Sequence, residues 1–193
     1  MSADIPANKV TLVGLLVGIS AAVLVASGHL AVGVLVFYLA TILDYTDGSM
    51  ARVREQSSFY GKYIDGMIDI VNMSAVRLAL AYTASVRGDI ALQWLGVVSA
   101  VLTPFHHFSF DRYSTFARWI NKLYGNDDVK PYIRPELSLR RMNAVSDAQH
   151  LLLLFSLVRF EALWGYFLLI IYAALFYALS HVRRAYLHMN VRG

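Results

Sequence analysis

Apolar residues occur in six long stretches along the chain, and polar segments separate them. A helix needs about 20 mostly apolar residues to cross a bilayer. The stretches predict spans at residues 10–28, 30–43, 60–87, 90–110, 144–158 and 163–181. The second must continue into the polar residues after it to reach that length, and the fifth is the shortest. The pattern predicts an all-α, polytopic membrane protein with six transmembrane helices.

The composition agrees with a membrane protein of one domain. Hydrophobic residues make up 58% of the 193 residues and charged residues 16%, against about a quarter charged in soluble domains. We expect one integral-membrane domain over 1–193 and no nucleic-acid partner. The absence of cysteine excludes disulfides, thiolate metal sites and thiol catalysis. The first apolar stretch has no basic segment before it, so we expect a retained span rather than a cleaved signal.

The basic residues predict the orientation of the spans. With six spans, all but three of the 17 Lys and Arg residues fall on the side of the two termini. Arg87 and Arg159 fall on the other side, and Arg77 lies within the third span. Because basic loops stay cytoplasmic, we expect both termini and the loop between spans two and three to be cytoplasmic. We expect the protein to lie in the cell inner (plasma) membrane.

Residues 111–142 form the only long connection. Its part from Tyr113 to Leu123 has apolar residues at helical spacing opposite basic ones. This pattern predicts a short helix on the inner membrane surface, and an ordinary amphipathic connector is the alternative.

Four aspartates stand where the second and third spans meet the cytoplasm. Asp44 shares one helical stripe with Asp47, Gly48, Ala51 and Arg52, because these follow it by three, four, seven and eight residues.

The next helix repeats the arrangement, with Gly61, Asp65 and Asp69 at steps of four. Consecutive helices joined by a short turn near residues 55–58 run antiparallel, so these carboxylates can converge with those of the second span. Like charges in low dielectric repel, and a divalent cation relieves this. Carboxylate oxygens suit Mg²⁺ or Mn²⁺, and Mg²⁺ often takes phosphate oxygens as well. The small residues leave room for a ligand, and Arg52 can bind a phosphate.

This pattern, D-x2-D-G-x2-A-R-x8-G-x3-D-x3-D from Asp44 to Asp69, matches the signature of the CDP-alcohol phosphotransferases without a gap or substitution. The chain therefore resembles that family, also called CDP-alcohol phosphatidyltransferases. The resemblance implies transfer of a phosphoryl-alcohol group from a CDP-linked alcohol to a second alcohol, with release of CMP. It also implies a homodimer.

The resemblance assigns roles to the motif residues. Asp44, Asp47 and Asp65, with Asp69 on the second ion, would hold two divalent cations, Mg²⁺ or Mn²⁺. Asp69 would be the general base that takes the proton of the acceptor hydroxyl. The residues assigned to the CDP moiety are Gly48, Ala51, Arg52 and Gly61.

Other residues are weaker candidates. Asn8 resembles the start of an Asn-x-x-Thr segment found near the nucleotide in many members, and it is equally well explained as a helix-start residue. Arg112, Arg140 and Arg141 are candidates for binding a phosphorylated acceptor, or else for anchoring to anionic headgroups. His106 and His107 are better explained as interfacial polar residues than as a second metal site.

The commonest arrangement in the family has CDP-diacylglycerol as donor and a polar alcohol as acceptor. The basic connection favours glycerol phosphate or inositol phosphate, in phospholipid biosynthesis. The alternative within the family is a soluble CDP-alcohol donor with a lipid or another polar acceptor. Outside it, a divalent-cation transporter would need acidic residues through the membrane, and the third span has none between Asp69 and Asp89. A catalytically silent scaffold would be expected to have lost a motif position, and none is lost.

Overall fold

Helices make up the structure, a computed structural model that describes residues 7–53, 59–124 and 148–189. In those ranges it contains no strand, so the all-α prediction is confirmed. The helices are α1 (Ala7–Ala26), α2 (Leu30–Val53), α3 (Phe59–Val86), α4 (Ile90–Tyr124), α5, described over 148–155, and α6 (Ala162–Met189).

α2, α4 and α6 extend well beyond the apolar stretches that predicted them. α4 has 35 residues, about 52 Å at 1.5 Å per residue, so it exceeds the roughly 30 Å hydrocarbon core of a bilayer. The segment Tyr113–Leu123, predicted as a short helix on the inner membrane surface, is helical and continuous with α4, and its position on that surface stays a prediction. Polar residues end a span but need not end a helix.

The number of spans stays a prediction. Among the described residues, α6 is long and apolar enough over Ala162–Tyr186 to cross a membrane, and Thr11–Ala26 and Leu30–Thr46 are shorter apolar segments. Large apolar side chains are exposed on α1, α2, α3, α4, α5 and α6; examples are Leu16, Leu35, Leu78, Val101, Phe155 and Leu179.

Two tight turns connect α1 to α2 and α3 to α4. Gly28 and Gly88 have φ of 88° and 82°, a conformation that glycine adopts without strain. His29 N donates to the Leu24 carbonyl at 2.9 Å, and Asp89 N donates to the Ala84 carbonyl at 3.0 Å. Each helix therefore ends in a Schellman motif, which allows the chain to reverse within three residues.

The chain forms two compact units, Met1–Val101 and Leu102–Gly193. In the first, α1 packs against both α2 and α3, whereas α2 and α3 touch each other at few of the described positions. The core of this unit includes Val25, Val34, Leu80 and Leu92, none of which is exposed to solvent. α1 is thus the central helix of the first unit.

The second unit contains the C-terminal part of α4 with α5 and α6. Leu153, Leu163 and Phe167 are buried in its core. α5 passes close to α6 at Gly165, where an added Cβ would be 3.5 Å from a methyl group of Leu152. Backbone bonds from Leu154 through Trp164 tighten the turn between the two helices.

Pro104 lies inside α4. Because proline has no N–H, the carbonyl of Ala100 loses its normal helical donor. The hydroxyl of Ser74 on α3 donates to this carbonyl instead, at 3.3 Å. The bond satisfies a group that the proline orphaned and joins α3 to α4.

Replacing Ser74 with alanine is expected to lower the free energy of unfolding by about 1 kcal/mol, because the Ala100 carbonyl then has no side-chain donor. Denaturant unfolding of the purified protein measures this. Ser180→Ala is the matched control, since the Ser180 hydroxyl bonds the Phe176 carbonyl of its own helix. Equal stability of the two variants would contradict the assigned role of Ser74.

Candidate active site

The motif residues lie on the adjoining ends of α2 and α3. Asp44 on α2 is half-buried, as are Gly61, Asp65 and Asp69 on α3. The three α3 residues are four apart, so they share one helical face, as predicted. The predicted turn near residues 55–58 lies outside the described residues.

Two hydrogen bonds fix how α3 lies along α1. Asn72 Nδ2 donates to the Gly14 carbonyl at 3.2 Å, and Thr83 Oγ1 donates to the Val25 carbonyl at 3.1 Å. Both bonds join residues 58 positions apart, so α1 and α3 run parallel with one constant offset. By this offset, Asp69 is level with Thr11.

A close approach of α2 to α1 gives the level of Asp44. An added Cβ on Gly33 would be 2.5 Å from Cγ2 of Val25 and 2.9 Å from the Ala21 carbonyl oxygen. α1 and α2 run antiparallel, and Asp44 comes eleven residues after Gly33. It is therefore level with the part of α1 near Leu12. Asp44 and Asp69 flank the N-terminal part of α1 at about the same level.

Asp65 has the environment of a ligand-binding carboxylate. Its Oδ1 atom is buried and has no hydrogen-bond partner, which is costly for a charged group unless a ligand compensates it. Carboxylate oxygens are the donors that Mg²⁺ and Mn²⁺ prefer, so the residues present fit a divalent cation. Among the described side chains, no three His, Asp or Glu residues lie close enough to hold a metal ion. The side chain of Asp47 is outside that set.

The family model for CDP-alcohol phosphatidyltransferases matches residues 5–123, which include the whole aspartate motif. The chain belongs to this family. No curated protein matches its sequence significantly.

A solved structure extends the likeness of this CDP-alcohol phosphatidyltransferase to nearly the whole chain. The crystal structure of the Mycobacterium tuberculosis phosphatidylinositol phosphate synthase with CDP-DAG bound is similar, with a TM-score of 0.72 and 20% sequence identity. The match covers 95% of this chain and 87% of that one. At this identity the likeness establishes the shared fold.

Several predicted site residues have a described backbone only. Asp47, Gly48, Ala51 and Arg52 lie on α2 and Asn8 lies on α1, and their side chains are outside the described part of the chain. The constant offset between α1 and α3 makes Asn8 level with residue 66, between Asp65 and Asp69 on α3. Contact of Asn8 with a nucleotide stays a prediction.

Of the three predicted acceptor-binding arginines, the structure describes Arg112. Arg112 is an exposed residue of α4, and its guanidinium carbon lies 5.1 Å from the centre of the Phe108 ring. This is a cation–π contact within one helix. Arg140 and Arg141 lie outside the described residues, so acceptor binding by these arginines stays a prediction.

Asn72 and Gly18 are residues of the α1–α3 contact that sequence reasoning missed. Asn72 follows Asp69 by three positions and extends the face of Gly61, Asp65 and Asp69. This spacing could have identified it as part of the same polar face. Nothing in the sequence identifies Gly18 as its partner, since that contact depends on the packing of two helices.

Two other polar features lie outside the motif. Arg77 is 6% exposed on α3, and its position within a span stays a prediction. In the second unit, the ring of His106 lies 5.3 Å from that of His107, 5.5 Å from Tyr177 and 6.2 Å from His181. Among the described side chains, these rings form no group of three metal ligands.

Proposed function

We propose that the chain transfers a phosphatidyl group from CDP-diacylglycerol to a hydroxyl of a polar alcohol, such as glycerol phosphate or inositol phosphate, and releases CMP. The observation that carries the proposal is the complete motif within the family match, with Asp44 and Asp69 at one level beside α1. CDP-DAG in the structurally similar synthase supports this choice of donor.

The carboxylates have separate roles in this reaction. Asp44, Asp47, Asp65 and Asp69 would hold Mg²⁺ or Mn²⁺, and the bound cations would neutralise the pyrophosphate of the donor and stabilise CMP as the leaving group. The buried, unpartnered Oδ1 of Asp65 supports its place in this set.

Asp69 acts on the acceptor. Its carboxylate takes the hydroxyl proton while the hydroxyl oxygen attacks the phosphorus atom next to the diacylglycerol. The bond from that phosphorus to the bridging oxygen of the pyrophosphate breaks, and CMP leaves with its electron pair. Positioned proton transfer of this kind contributes about 10² to 10⁴ in rate. Gly48, Ala51, Arg52 and Gly61, with Asn8, would contact the CDP moiety.

A membrane position suits these substrates. The apolar side chains exposed on every helix would face hydrocarbon, and α6 has the length and composition of a span. We place six spans in the inner membrane, with both termini and the aspartates on the cytoplasmic side, in a homodimer. The soluble nucleotide would then meet the lipid at the cytoplasmic surface.

Release of CMP by the purified protein tests the proposal. The assay contains CDP-diacylglycerol, Mg²⁺ or Mn²⁺, and one acceptor at a time from glycerol phosphate, inositol phosphate, inositol and serine. We expect CMP release that depends on one acceptor and stops when EDTA removes the cation. Samples without acceptor control for hydrolysis. Absence of release with every acceptor would contradict this choice of donor and acceptor. The assay is then repeated with a soluble CDP-alcohol as donor and diacylglycerol as acceptor.

A further inference from the structure

The contact between α1 and α3 passes through one buried polar side chain. Asn72 is 8% exposed, and its amide lies against α1 between Gly14 and Gly18. A carbonyl oxygen can only accept a hydrogen bond, so the amide must present Nδ2 to the Gly14 carbonyl. Its Oδ1 then faces away from that bond, and this atom is buried without a hydrogen-bond partner.

Gly18 supplies the space for this amide. A Cβ built on Gly18 would overlap Cγ, Oδ1 and Nδ2 of Asn72, whereas a Cβ on Gly14 would meet nothing within 4 Å. Asn72 and Gly18 therefore fit together at one position of α1 along α3. A shift by one helical turn, about 5.4 Å, toward the C-terminus of α1 would place the amide against Ala22, which has a side chain. A shift of one turn in either direction would also break the Thr83–Val25 bond.

The other residues of this contact do not fix how far α1 is shifted along α3. The facing stripes hold small or apolar residues, among them the buried Ala21, Val25, Val76 and Ala79. Helices in lipid associate through close packing of small residues and through hydrogen bonds, with little hydrophobic driving force. The Asn72–Gly18 fit, with the Thr83–Val25 bond farther along, therefore sets the position of α1.

We propose that Asn72 is a positioning residue for the transfer reaction. With Gly18 it holds α1 where Thr11 is level with Asp69, so that the first turn of α1, up to Thr11, forms one wall of the donor site. This inference rests on the proposed function. It predicts that loss of the fit weakens use of the CDP donor, because the wall moves relative to the aspartates.

Single variants separate this role from general effects of mutation. Asn72→Ala and Gly18→Ala are each expected to raise the KM for the CDP donor at least tenfold, with the KM for the acceptor within twofold of the parent. Gly14→Ala is the matched control on the same helix, and it should leave both values unchanged because its Cβ meets open space.

The double variant Gly18→Ala/Asn72→Ala tests whether the two positions act together. Once the amide is absent, the Gly18→Ala methyl group has room, so the double variant should be no worse than Asn72→Ala alone. Independent effects that multiply would show that Asn72 and Gly18 do not form one fit. The comparison also detects poor folding. If the single variants lost activity because they were destabilised, the second substitution would lower activity further.

Disulfide formation measures the position of α1 without reference to activity. The chain has no cysteine, and Ala21 and Ala79 are buried and level by the constant offset of 58. The pair Ala21→Cys/Ala79→Cys should form a disulfide with a membrane-permeant oxidant, since facing residues at one level suit its short reach. Adding Gly18→Ala should lower the yield at least threefold, and adding Gly14→Ala should not.

The outcomes distinguish the two proposals. A lower disulfide yield together with a raised donor KM supports positioning by Asn72. An unchanged yield in the Gly18→Ala and Asn72→Ala backgrounds overturns it, as does a lower yield in enzyme with unchanged donor KM. If the parent protein releases no CMP from any CDP donor, the proposed function fails, and the positioning role for that reaction is overturned with it.

Discussion

Asp69→Asn is expected to lower the rate of transfer by about 10² to 10⁴, because the amide cannot take the proton of the acceptor hydroxyl. The variant keeps the size of the side chain, and residue 69 keeps its place on the polar face of α3. Binding of the CDP donor should therefore change much less than kcat. Single-turnover CMP release gives the rate, and titration with the donor gives its Kd.

Asp111→Asn is the control for this variant, since Asp111 is an exposed carboxylate on α4 outside the motif. It undergoes the same change of charge and should turn over at the parental rate. If Asp69→Asn also turned over normally, Asp69 would not be the general base. A large loss of donor binding with little change in kcat would assign Asp69 to the cation set alone.

Asp65→Asn is expected to raise the Mg²⁺ concentration for half-maximal activity at least tenfold. In the parent, the buried Oδ1 of Asp65 has no hydrogen bond, and a divalent cation would compensate its charge. The neutral amide lacks that charge and binds cations weakly. The measurement is CMP release against Mg²⁺ concentration at saturating donor.

Thermal unfolding gives an independent measure of the same site. A ligand that binds only the folded state raises the unfolding temperature, so Mg²⁺ should stabilise the parent more than Asp65→Asn. In EDTA the variant should be at least as stable as the parent, because it no longer buries an uncompensated carboxylate. An equal response to Mg²⁺ in both proteins would remove Asp65 from the ligand set.

The sequence predicts much of the site because its spacing matches helical geometry. Asp44, Asp65 and Asp69 lie on helices that begin within one residue of the predicted positions, and α3 also ends within one residue of its predicted end. The structure adds the level of each residue along α1. That level depends on contacts of Gly18 and Gly33 with other helices, and a single glycine in an apolar stretch does not indicate which helix it will meet.

The fourth helix shows why span and helix boundaries differ. The change from apolar to polar residues after Phe110 predicted the end of a span and then a new helix. Backbone hydrogen bonds within a helix do not require apolar side chains, and α4 continues to Tyr124. Pro104 is the helix-breaking residue in this segment, yet Ser74 supplies the donor that its ring removes. A sequence motif cannot show this compensation, because Ser74 is on another helix.

The two glycine turns at the end of the first unit away from the aspartates have a practical consequence. Only the backbone from Ser27 to His29 and from Arg87 to Asp89 leaves helical structure there. A protease must pull an extended segment into its cleft, and these turns are too short to provide one. Trypsin should therefore spare the exposed Arg87, and an inserted epitope tag would disrupt the positive-φ glycines. Antibodies and proteases that need an extended segment should therefore bind poorly at this end.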